Sequence, residues 1–116
     1  MSGDKIILFE DVTADTTSQV FRLNVSRISG TINRNAFLLI RGSVGGGRLS
    51  LQIADLNGDF IEIEEDSNSI NSRLATDNTK ASVIPFLYSA SERLRLVLTG
   101  STNPNLWVEG SNCRLE

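Results

Sequence analysis

The sequence predicts an all-β domain: an antiparallel, jelly-roll-like β-sandwich of about eight strands. Three observations predict it. Short runs alternate apolar and polar residues with period two, at Phe21 to Val25, Leu49 to Ile53, Ile61 to Ile63 and Leu94 to Leu98. Turn residues break these runs at short spacing, as at Gly45-Gly46-Gly47, Asn57-Gly58 and Gly100 to Pro104. No segment carries the apolar stripe of an amphipathic helix.

Taken in order, Lys5 to Phe9 reads as a first strand, followed by a polar connection from Asp11 to Thr17. Residues 1–17 are thus a strand and arm preceding a sandwich over 18–116, one domain overall. Ser18 to Val25 is the second strand, with Phe21, Leu23 and Val25 on its apolar face. Ser26 to Asn35, punctuated by Gly30, Asn33 and Asn35, reads as a loop or a short irregular strand. Ala36 to Val44 is nearly continuously apolar at first, as expected of a strand covered on both sides or lying at an oligomer contact. Gly45-Gly46-Gly47 is read as a turn, because no P-loop Lys and Ser/Thr follow it.

The next stretch, Arg48 to Asp66, is a hairpin whose register can be argued. A two-residue Asn57-Gly58 turn would set Ile53 opposite Glu62 and mix the faces. A three-residue loop, Leu56-Asn57-Gly58, with Gly58 in the left-handed region, pairs Ile53 with Ile61 and Leu51 with Ile63. Asp66 to Thr79 then reads as a long polar loop, functional or mobile. Lys80 to Leu87 is a strand whose Pro85 belongs at an edge or end, and Tyr88 to Ser91 is its turn. Glu92 to Thr99 points Leu94, Leu96 and Leu98 inward, with Arg93, Arg95 and Val97 outward. Asn105 to Arg114 closes the domain.

Composition narrows the function. The 116 residues carry a net charge of −3 with dispersed basic residues, which disfavours a nucleic-acid partner. No stretch has the length of a membrane span, and the apolar run Ile6 to Phe9 lacks the form of a signal peptide. One cysteine, Cys113, and no histidine supply neither an intrachain disulfide nor a zinc site, and the usual catalytic triads are unavailable. The chain is therefore expected to be no enzyme and to need no cofactor. Nine Arg against two Lys suits fixed interfaces, since guanidinium makes planar, bidentate contacts.

Four constellations invite chemistry. Glu62 and Glu64, roughly 7 Å apart along one strand face, resemble a glycosidase pair, but solvent exposure would leave neither a raised pKa. Asp55, Asn57, Asp59 and Asp66 occupy positions 1, 3, 5 and 12 of a calcium loop, yet Phe60 stands where glycine is needed, and the same residues suit a tight hairpin. Trp107, the only tryptophan, lies on the same outward face as Arg93 and Arg95 if the last two strands pair; strand parity leaves open whether it points inward instead. Cys113 is read as a small core residue.

Certain segments carry a family resemblance: ILFEDVTADTTSQVFRL from Ile6, GGGRLSLQIADLNGDF from Gly45 and LRLVLTGSTNPNLWVEG from Leu94. In that order the chain resembles small β-sandwich virion proteins of tailed bacteriophages. The resemblance implies a capsid decoration or cement protein that binds the major capsid protein in the virion, commonly as a homotrimer. A neck, tail or fibre component is the variant of that role. On this reading the N-terminal arm (Ser2 to Thr17) and the residues Phe37, Leu39, Arg41, Arg93, Arg95 and Trp107 are expected to contact sister subunits or the shell. A carbohydrate-binding module, with Trp107 and Tyr88 as stacking platforms, is the competing class.

Overall fold

A computed structural model describes residues 5–24, 36–75, 79–86 and 91–116. Two antiparallel sheets pack face to face. The first contains β1 (Lys5–Val12), β9 (Asn105–Ser111), β4 (Phe37–Ser43) and β7 (Ala81–Pro85), in that order across the sheet. The second runs β10 (Cys113–Leu115), β3 (Phe21–Leu23), β8 (Leu94–Thr99), β5 (Arg48–Ala54) and β6 (Phe60–Glu62). A two-residue strand, β2 (Thr16–Thr17), continues the β3 side of β8.

Alternation decides which side chains enter the core. Leu38, Ile40, Leu106 and Val108 project inward from the first sheet, and Leu23, Leu49, Leu51, Leu94, Leu96 and Leu98 from the second; all are 2% exposed or less. Each such burial contributes about 1.5–3 kcal/mol. The Phe21 and Phe86 rings meet at 5.8 Å between centroids. The sandwich and its inward leucines are thus as expected, including Cys113, fully buried at the second sheet's edge strand.

The hairpin register is also as expected. Ile53 pairs with Ile61, the Ile63 amide donates to the Leu51 carbonyl, and Gly58 has φ +87°. Three expectations need correction. Residues 64–73, expected to continue the strand into a polar loop, form helix α1 (Glu64–Arg73). Glu64, Glu65 and Asp66 occupy its first turn and Arg73 its last, charges placed to oppose the helix dipole. The first strand, expected over Lys5 to Phe9, runs on to Val12, and Thr16–Thr17, expected within a polar connection, pair with β8 in the other sheet. The last strand divides at Asn112 (φ +58°), where the chain leaves one sheet for the other. Ser26 to Asn35 and Tyr88 lie outside the described residues.

Most links between successive described strands cross the core from sheet to sheet. β4 passes to β5 through the glycine turn, β8 to β9 through Gly100 to Pro104, and β6 to β7 through α1. Gly45 and Gly47 let the first crossing press against the second: the Thr102 amide donates to the Gly45 carbonyl, and a Cβ at either glycine would strike the backbone of residues 99–104.

Candidate functional site

The outer face of the four-stranded sheet is where side chains exceed what a single chain can cover. Cross-strand register places Lys5, Ser111, Phe37 and Pro85 in one row and Ile7, Glu109, Leu39 and Val83 in the next. A third row holds Trp107, Arg41 and Ala81. Phe37 and Leu39 are half-buried, whereas Ile7 and Val83 are 48% and 53% exposed. The continuous apolar run of β4 is therefore not explained by burial on both sides. One half faces the core; the other is an uncovered apolar half-face on three strands.

Trp107 points outward. Its Nε1–H donates to Glu109 Oε2 at 2.7 Å, and the Arg41 guanidinium carbon lies 5.4 Å from its ring centroid. Lys5 approaches Glu109 at 3.8 Å. Asp11, Arg41, Gly42, Asn105 and Trp107 line a shallow recess of about 150 Å³ at this end of the face. Two irregularities shape it. β1 is bulged between Phe9 and Val12, leaving Asp11 at φ +45°, and Gly42, at φ +96°, brings β4 so close to Asn105 that a Cβ would overlap its carbonyl.

Arg93 and Arg95 lie elsewhere, which corrects the expectation of one face shared with Trp107. β8 and β9 belong to different sheets, so the two arginines are on the opposite side of the sandwich. Arg93 makes a bidentate pair with Glu116 (2.6 and 2.7 Å), which also accepts from Arg22. These partners hold the Glu116 carboxyl below, and the Arg93 guanidinium above, their ordinary ranges. Arg95 donates to Gln52 at 2.7 Å and covers the Phe60 ring at 4.2 Å. Both are engaged within their own sheet.

The remaining candidates have structural partners. Glu62 is held below its ordinary pKa by hydrogen bonds from Ser50 and Arg48, while Glu64 has moved into the helix, so the two do not form a pair on one strand. Asp55 Oδ1 accepts the amides of Asn57 and Asp59, closing the hairpin, and Asp66 lies in α1. Among the described residues, no group of three or more Cys, Asp or Glu is placed to hold a metal ion. Burial pushes the Cys113 thiol up to about 12, far from a nucleophile's range. Among the described residues, no helix is long and apolar enough to cross a membrane.

Sequence reasoning picked out Phe37, Leu39, Arg41 and Trp107 by residue and held Ile7 within the arm Ser2 to Thr17, but missed Val83. Val83 had a signal, since Ala81, Val83 and Pro85 share one parity against Ser82 and Ile84. Asp11 and Asn105 had none, because only the three-dimensional register brings them to Trp107. No protein-family model matches the chain, and no curated protein matches it in sequence.

Proposed function

We propose that the chain is a non-enzymatic structural protein of a tailed-phage virion, a capsid decoration protein. It associates with copies of itself and with the major capsid protein through the outer face of the four-stranded sheet. The observation that carries this reading is the uncovered apolar half-face of Ile7, Phe37, Leu39, Val83 and Pro85. Its first occupant is a second copy of the chain: Lys5 shares the face with Glu109, so one copy offers both signs of charge to another. Support for a non-catalytic role comes from the absence of histidine, the buried Cys113 and carboxylates whose pKa values are lowered rather than raised. Strand order supports a jelly roll: with β2 and β3 counted as one interrupted strand and the short edge strand β10 set aside, the sheets run 1-8-3-6 and 2-7-4-5, two Greek keys in succession.

Light scattering on the purified chain tests the self-association, with 12.7 kDa as the unit. The expected mass is that of a trimer. Leu39→Asp with Val83→Asp, both on the outward face, should return a monomer with an unchanged circular dichroism spectrum and abolish cosedimentation with the shell. A wild type that is monomeric and leaves shells unbound, or a double variant that still trimerises, would overturn the proposal.

A further inference from the structure

The recess beside Trp107 is chemically unlike the apolar half of the same face, being lined by polar and charged side chains. Arg41, Asp11 and Asn105 are exposed and, among the described residues, their side chains make no hydrogen bond or ion pair. Arg41 lies against the Trp107 ring. The indole N–H is already committed to Glu109, so Trp107 presents carbon to the recess rather than a donor. Asp11 is held at φ +45° by the β1 bulge, a conformation uncommon for a residue other than glycine.

We infer that this recess is a binding site for a single neutral sugar ring. The recess and a sugar are complementary in donors, acceptors and apolar surface. Arg41 supplies donors, Asp11 supplies acceptors, and the Asn105 amide supplies both. A carboxylate or phosphate would meet the Asp11 carboxylate, and a cation would meet the Arg41 guanidinium. Neighbouring hydroxyls on a sugar each donate and accept, so they can satisfy Arg41, Asp11 and Asn105 together, while the C–H face of the ring lies against indole carbon. The volume of about 150 Å³, about five waters' share of the liquid, suits one ring rather than an extended chain. The site is separable from the self-association face, because neither Phe37 nor Leu39 lines the recess, although the Leu39 row adjoins it.

Trp107 is the sole tryptophan, so its emission reports the site directly. The test titrates the full chain with methyl glucoside, methyl galactoside, methyl mannoside and N-acetylglucosamine, with acetate and guanidinium as charged controls. Saturation-transfer NMR of the sugar provides a readout independent of fluorescence. At least one sugar should give a saturable change with a millimolar Kd, weakened tenfold or more in Asp11→Gly, which suits the positive φ, and in Arg41→Met, which keeps the stem. Val83→Asp, one strand further from the recess, should leave binding unchanged. Absence of a saturable response to every sugar overturns the assignment, as does a response matched by acetate or guanidinium. Loss of the response in Val83→Asp also overturns it, since the signal would then belong to subunit association.

Discussion

At the scale of single residues, the most consequential side chains are two that replace a strand. β6 pairs with β5 only along Gln52 to Ala54, so the outer edge of β5 at Leu49 and Leu51 would be left open. Ser67 and Asn71, one helical turn apart, close it: Ser67 Oγ accepts the Leu51 amide at 2.9 Å, and Asn71 both accepts the Leu49 amide at 3.1 Å and donates to its carbonyl at 2.7 Å. Removing either strands a backbone group away from water, at about 1–3 kcal/mol per group. Ser67→Ala and Asn71→Leu should each lower the unfolding free energy by that order, read as a lower urea midpoint with an unchanged slope, and hydrogen exchange should quicken first at the Leu49 and Leu51 amides. Equal exchange across β5 would show that the helix does not hold this edge. Glycines make a second, paired prediction. Gly42→Ala meets the Asn105 carbonyl as well as an unfavourable φ and should cost about 3 kcal/mol or more, whereas Gly58→Ala (φ +87°), with open space around it, should cost about 1–2 kcal/mol. Thermal melts of the two variants give the comparison directly.

Helix α1 and the hairpin before it show what an element's sequence can and cannot disclose. The hairpin was legible because its register is a local matter. Once Gly58 occupies the left-handed position, apolar parity at Ile53 and Ile61 admits one pairing. The helix was not. Its only fully buried residues are Ser67 and Ile70, and it docks through hydrogen bonds to β5 in place of a wide apolar stripe. The spacing Ile63, Ser67, Ile70, Leu74 and the acidic first turn were present, but a serine in the stripe reads as loop until its backbone partner is known. The reading of the candidate face failed at one step for a related reason. Gly, Ser, Asn and Pro serve equally in a hairpin within one sheet and in a crossing between two, so the GSTNP segment did not reveal that β8 and β9 part company. What fixes that crossing is Asp15, distant in sequence, which accepts the Gly100 and Ser101 amides and the Ser101 hydroxyl.

For the whole molecule, these contacts determine how stability responds to pH. With no histidine in the chain, no side chain has an ordinary pKa between about pH 5 and 8, and stability should be level there. On the acid side, Asp15, Glu62 and Glu116 all have folded pKa values below their ordinary ones, because hydrogen bonds from Ser101, Ser50 and Arg93 favour the ionised carboxylate. Their contribution is complete above the unfolded values of 3.8 to 4.5 and is lost as pH falls through the lower folded values. On the alkaline side, Cys113 acts in the opposite sense. Desolvation raises its thiol from 9.0 to about 12, so the folded chain keeps a proton that the unfolded chain releases. Stability from this group is therefore full below pH 9.0 and declines as pH rises toward about 12, with the slope of one proton. Other groups titrate in the same range, so a difference curve isolates the cysteine. Cys113→Ala should be less stable at neutral pH through the lost packing, and the gap to wild type should narrow steadily above pH 9.0. Urea denaturation of both proteins from pH 7 to 11 measures that gap. If it stays constant, the thiol is not shielded from water in the folded chain, and the closed edge of the second sheet at β10 is open in solution.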